Sequence, residues 1–281
     1  MDKQKVSIAD LNDLARKMRH HIVDMVSCKK GKVGHLGGSC SAADIVAALF
    51  FYKMNFSKTQ LQDPARDRFL LSKGHVALVQ YAALAELGVL DVEELCHVKE
   101  IDSRLQGHPD KNKTPGIEAN TGSLGQGLSL GLGLALAARL DNLSYKSYVL
   151  MGDGEQAEGQ IWEAATAAAA YKAFNLVGIL DHNRIQAMGT TDSRFPLGDL
   201  KKKWEAFGWE VIKIDGHDMQ QICDALDKAD QITQKPVLIY ANTVKGKGVD
   251  FAENTHKYHN GALTPELFDE AHRCIDKNAQ H

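Results

Sequence analysis

The sequence lacks most of the features that would place a protein in a specialised class. Its five cysteines, Cys28, Cys40, Cys96, Cys223 and Cys274, show neither CxxC spacing nor an even number. No disulfide framework is expected, and a reduced, cytoplasmic setting fits best. The opening MDKQKVSIADLNDLARKMRH holds no apolar core of the signal-peptide kind, and it carries Asp10 and Asp13, acids that transit peptides avoid. Long apolar runs are missing as well. The most apolar-looking stretch, Leu124 to Leu140, is broken by four glycines, Gln126, Ser129 and Arg139, too short and mixed to span a bilayer. Dense basic runs are also absent. With a net charge of −3 and Lys201-Lys202-Lys203 as the densest cluster, nucleic acid is not expected as the main partner, and those lysines read as a solvated helix face.

What remains is the composition of an ordinary globular protein, 44% hydrophobic and 25% charged over 281 residues. The most informative stretch runs from Tyr145 to Ile185. Two short apolar runs, Tyr148 to Met151 and Leu176 to Leu180, read as buried strands, and each ends in a polar triplet: Gly152-Asp153-Gly154 and Asp181-His182-Asn183. The Ala-rich segment between them, Gly159 to Tyr171, has the helix propensity and length to cross back over a parallel sheet. In such a unit both strands point the same way, so Asp153 and Asn183 emerge side by side at the carboxyl edge. An acid and an amide oxygen there suit a hard cation such as Mg²⁺ (Ca²⁺ or Mn²⁺ could stand in its place), with the Ile185 carbonyl as a third ligand and phosphate oxygens completing the shell. Gly152 and Gly154 leave room for a diphosphate to approach the backbone.

Along the rest of the chain, Ser7 and Asp10 form a capping-box start for an amphipathic helix that stops in the glycine-rich loop Gly31 to Gly38. Ser41 and Asp44 repeat the capping pattern before a buried helix, Ala42 to Met54. A short strand, Asp67 to Ser72, precedes Ser72-Lys73-Gly74-His75 and the helix Val76 to Leu87. His35, His75 and His108 all lie in glycine-containing turns. The segment Thr114 to Gly127 is glycine-rich but fits neither GxGxxG nor GxxxxGK(S/T) and follows no strand, so a nucleotide site is a weak reading. Gly127, Gly131 and Gly133 instead predict close helix packing. Further on come a helix around Leu200 to Phe207, a strand Trp209 to Ile214, a helix Met219 to Ile232, a strand Pro236 to Thr243, and a closing helix after Thr264-Pro265. The alternation predicts an α/β protein with a doubly wound, mostly parallel sheet flanked by helices, and with no linker the whole chain, 1–281, reads as one domain.

Gly-Asp-Gly followed about thirty residues later by Asn resembles the thiamine-diphosphate motif of the transketolase superfamily. The resemblance extends through Gly34-His35, Asp67-Arg68-Phe69 to His75, Gly107-His108-Pro109, Thr121-Gly122-Ser123-Leu124-Gly125-Gln126-Gly127 and the Lys245 to His259 loop. It covers nearly the whole chain. By that resemblance the fold is the diphosphate-binding, PP-type domain, and the cofactors are thiamine diphosphate and Mg²⁺. The cofactor-binding residues are His75, Gly122, Ser123, Leu124, Asp153, Gly154, Asn183, Lys245 and His259; the metal ligands are Asp153, Asn183 and Ile185. Catalytic roles fall to His35, His75, His108 and His259, which line the substrate channel, with His256 as the rival to His259. Glu158 and Glu163 match family glutamates near the subunit interface.

The reaction implied is transfer of a two-carbon ketol unit from a ketose, phosphorylated in the family's manner, to an aldose through a covalent adduct on the cofactor. Full-length transketolases continue into a pyrimidine-binding domain that supplies the activating glutamate and much of the phosphate recognition. This chain is therefore expected to be the N-terminal subunit of a split enzyme, working with a C-terminal subunit that carries that domain and assembling as a heterotetramer. Leu36 stands where the family usually has proline, and Gly38 where a cofactor-contacting serine occurs. Another thiamine-diphosphate enzyme, deoxyxylulose-phosphate synthase-like or 2-oxoacid dehydrogenase-like, and a non-catalytic cofactor-binding subunit are the competing readings.

Overall fold

The structure, a computed structural model, describes residues 6–26 and 32–278; Cys28 and Gly31, named above, lie outside the described residues. Helix α1 (Ile8–Met25) opens with both halves of the predicted capping box, the Ser7 side chain accepting from the Asp10 amide and the Asp10 carboxylate from the Ser7 amide. Its buried stripe, Leu11, Ala15, Met18 and Ile22, follows the spacing read from the sequence. The next segment departs from expectation. In place of a loop to Gly38 and one helix from Ala42, there are two short helices, α2 (Leu36–Ser41) and α3 (Ala43–Ala47), then a π-helical turn at Ala48–Lys53. Ser41 and Asp44 cap neither, because tertiary partners take them: Ser41 Oγ donates to Asp181 (2.6 Å) and Asp44 pairs with Arg19 and His217.

Strand β1 (Arg68–Leu71) leads through α4 (Ala77–Glu86) and α5 (Gln126–Leu140) to β2 (Ser147–Gly152); α6 (Gly159–Ala170) links β2 to β3 (Leu176–His182). A two-residue hairpin, β4 (Ile185–Gln186) with β5 (Gly189–Thr190), and helices α7 (Thr191–Arg194) and α8 (Leu200–Ala206) precede β6 (Glu210–Asp215); α9 (Met219–Gln231), β7 (Val237–Asn242) and α10 (Pro265–Asn278) finish the chain. The five long strands form one all-parallel sheet, order β1-β2-β3-β7-β6.

Register explains why these strands are apolar almost throughout. Leu71, Leu150, Ile179, Ile239 and Ile212 are cross-strand partners in one row, and all belong to the core packed under α1, α3, α4, α9 and α10. One residue along, Leu70, Val149 and Leu238 face the other core, under α5, α6 and α8. A parallel sheet covered on both faces has no solvent side to alternate toward, and each of these buried aliphatics contributes about 1.5–3 kcal/mol. Glycine sets how closely α5 approaches. A Cβ on Gly127 would lie 2.4 Å from Ser72, and one on Gly131 2.4 Å from Val149, as the packing reading expected. Gly133 differs: a Cβ there would meet nothing within 4 Å. Among the described residues no helix is long and apolar enough to cross a membrane, and Cys40, Cys96, Cys223 and Cys274 are all unpaired.

Candidate functional site

Because all five strands run the same way, the residues that follow β1, β2, β3 and β7 meet at one edge. Asp181, at the end of β3, is fully buried. It accepts from Ser41, Thr243, Asn183 Nδ2 (3.2 Å) and the ammonium of Lys73, a residue of the turn after β1. The lysine and these hydrogen bonds hold the Asp181 pKa below the ordinary carboxylate value against the opposing effect of burial. Asp153, after β2, accepts from the Gly154 amide (2.7 Å) and the Arg184 amide, the latter reaching over from the β3 loop. Burial, with Asp181 nearby, pushes its pKa up. Asn183 Oδ1 accepts from the Ile185 amide (3.1 Å), and the Ile185 carbonyl accepts from Lys245 Nζ (2.7 Å). The three expected metal donors thus lie within one small hydrogen-bonded group.

Four histidines stand against this group. The His35 ring centre is 5.0 Å from that of His75, 5.3 Å from His259 and 6.3 Å from His108, and His75 lies 5.2 Å from His259. His259 belongs to the cluster while His256 is exposed. Lys245 Nζ is 2.8 Å from His259 Nδ1; an ammonium can only donate, so Nδ1 is the acceptor and the His259 proton sits on Nε2. Burial, aided by lysines close by, lowers the pKa of His75 to about 2, His259 to about 3 and His35 to about 4, and that of Lys245 to about 8. Near neutral pH the rings are uncharged, able to donate at one nitrogen and accept at the other.

Gly122 runs alongside this cluster: a Cβ on it would come within 3.0 Å of His108 Cδ2. Ser123 is exposed and Leu124 half-buried. The loop is tied down at Gly125, whose amide donates to the buried Glu155 (2.8 Å), the same carboxylate that accepts from Ser72 and the Gly152 amide. Gly154 fits against Gln186, whose Cγ would be 2.9 Å from an added Cβ. Glu158 and Glu163 are exposed and take no part in the cluster.

Residues 11–278 match the family "Transketolase, thiamine diphosphate binding domain". The chain belongs to that family. It is 42% identical to one subunit of the apulose-4-phosphate transketolase of Phocaeicola vulgatus, over 95% of this chain and 94% of that one. It is 39% identical to "6-deoxy-6-sulfo-D-fructose transketolase subunit SqwG" of Clostridium sp., over 99% of each. Against human transketolase it is 39% identical, but spans only 42% of that protein's length. A transketolase crystal structure from Pichia stipitis superposes with a TM-score of 0.85 at 28% identity, covering 98% of this chain and 45% of the other. Of the readings open from the sequence, the transketolase one stands, and with it an enzymatic role and a thiamine-diphosphate-binding fold.

The residues of this transketolase chain fit the family's cofactor by their own chemistry. Two of the buried polar atoms without a hydrogen-bond partner among the described residues lie here: Gln186 Nε2, packed against Gly154, and Thr121 Oγ1, packed against Gly74 and next in sequence to Gly122. Among the described residues no group of three or more His, Cys, Asp or Glu side chains could hold a metal. One carboxylate, one amide oxygen and one carbonyl is instead the sparse oxygen set of a cation shared with phosphate. Gly38, where the resemblance suggested a serine, is already tight: a Cβ there would lie 2.7 Å from Val76 Cγ1. Sequence reasoning passed over Lys73, Asp181, Thr243 and Glu155. For Lys73 and Asp181 the available signal was a charged residue closing or just following an apolar strand run; Thr243 and Glu155 carried no such signal.

Proposed function

We propose that this chain is the N-terminal subunit of a two-chain transketolase, transferring a two-carbon ketol unit from a ketose to an aldose in the cytoplasm. The observation that carries this is one of proportion. Relatives named as subunits are matched over 94% and 99% of their length, whereas the single-chain enzyme is matched over 42%. The second chain would bring the pyrimidine-binding domain, and the pair would associate as a heterotetramer. Both relatives are named for sugars with a terminal oxyanion, a phosphate and a sulfonate, which supports an anionic sugar as substrate and a place in pentose-phosphate-type carbohydrate metabolism.

In this reading residues 1–281 act as one cofactor-binding domain. Asp153, Asn183 Oδ1 and the Ile185 carbonyl would hold Mg²⁺, and Lys245, which sits on that carbonyl and on His259, would bring positive charge to the diphosphate end. Gly154 and Gly122 allow close backbone approach, and Ser123, Leu124 and His75 hold the thiazolium end. Bound thiamine diphosphate supplies the electron sink that makes carbon–carbon cleavage feasible at neutral pH. The chain's own part is to position and to move protons. His35, His75, His108 and His259 bind sugar hydroxyls, and His259 Nε2 is the proton donor, its tautomer fixed by Lys245. The test is affinity purification of tagged protein from its own cells, followed by a ketol-transfer assay on what elutes. A stoichiometric second chain and transfer activity support the reading; a homo-oligomer that binds thiamine diphosphate but transfers nothing overturns it.

A further inference from the structure

Three lysines stand around the histidine cluster, and two have partners at the cofactor end: Lys73 on Asp181, Lys245 on the Ile185 carbonyl and His259. The third, Lys99, is at the opposite end. Its backbone is left-handed (φ +63°), held by its amide donating to Leu105 (2.8 Å). That conformation is uncommon for a long side chain and turns the lysine toward the cluster. The stem lies on Gly107, where a Cβ would sit 3.1 Å from Lys99 Cε, next to His108. The ammonium reaches the Val33 carbonyl, two residues from His35. Burial lowers the pKa of His35 and of His108, and after burial the Lys99 charge is the next cause at both rings. Among the described residues no carboxylate pairs with it, and burial alone lowers its own pKa. The side chain is exposed at the mouth of the cluster, so its ammonium, set beside uncharged rings and resting on a neutral carbonyl, is free to exchange that carbonyl for an arriving anion.

Resting on the transketolase reading, we propose that Lys99 determines substrate choice by binding the terminal oxyanion of the sugar whose hydroxyls the histidines hold. Lys99 leaves the Val33 carbonyl for the anion, exchanging a neutral acceptor for a charged one. The test compares the two-chain complex carrying native Lys99, Lys99→Met or Lys99→Arg. Each is assayed with an aldose phosphate, the corresponding sulfonate and the aldose without either group. Lys99→Met is expected to lower the ratio of kcat/KM for the anionic over the uncharged aldose about tenfold, chiefly through KM, with Lys99→Arg restoring most of it. A ratio unmoved by Lys99→Met overturns the proposal; loss confined to phosphate or to sulfonate identifies the anion read. A second measurement does not need turnover. His35 and His108 ring signals of the full chain are followed by NMR while inorganic phosphate is titrated at constant ionic strength. Saturable shifts in the native protein that vanish in Lys99→Met support the site, and identical titrations overturn it. Should neither aldose react with native complex, the transketolase reading fails while this titration still decides the role of Lys99.

Discussion

Asp181 and Lys73 form the most buried ion pair near the site, the carboxylate fully enclosed and the lysine nearly so. Removing one partner of such a pair leaves a charge with neither water nor counter-ion. Lys73→Met is therefore expected to destabilise the chain by about 3–5 kcal/mol, read as a shift of the urea midpoint. Asp153 makes a different case. Asp153→Asn keeps size and one acceptor oxygen but removes the charge a divalent cation needs. It is expected to weaken Mg²⁺-dependent thiamine-diphosphate binding at least about tenfold by calorimetry, with an unaltered far-UV spectrum. Unchanged affinity would remove Asp153 from the metal assignment.

At the scale of elements, α5 carries two glycines whose substitution should act in opposite directions. On Gly131 a methyl group would be driven into Val149 on β2, lifting the helix from the sheet, so Gly131→Ala is expected to lower the melting temperature. Gly133 faces open space two residues on, and Gly133→Ala is expected to stabilise the isolated chain by about 0.5–1 kcal/mol, because alanine restricts the unfolded chain and favours helix. Thermal unfolding of the two variants side by side checks the predicted sheet contact. The local expectations that failed did so for a related reason. Ser41 and Asp44 have the spacing of a cap, but Asp181, Arg19 and His217, all distant in sequence, compete for them and win. The start of α1, which was read correctly, is set by its own residues, the reciprocal Ser7 and Asp10 hydrogen bonds.

For the molecule as a whole, burying neutral histidines makes stability depend on pH. His35, His75 and His259 have folded pKa values of about 4, 2 and 3 against an ordinary 6.5. Below pH 6.5 the unfolded chain takes up protons that the folded chain refuses, so stability present above 6.5 is lost as pH falls toward those folded values. The urea midpoint is expected to drop between about pH 7 and pH 5, and to drop less in His35→Asn/His259→Asn. Equal drops would show that the cluster does not drive the effect.

The sequence by itself determined the strands, the crossover between Asp153 and Asn183 and the parallel sheet, because apolar runs without alternation require cover on both faces and a helix between like-directed strands. It also determined that the loops carrying Asp153 and Asn183 share an edge. The tertiary structure alone decided that His35, His75, His108 and His259 share one cluster, that His259 and not His256 faces Lys245, that Lys73 neutralises Asp181, and that no carboxylate among the described residues pairs with Lys99. Periodicity reports what a segment does with its neighbours in sequence. Distances between loops, and the pKa values that follow from burial, depend on how the segments pack.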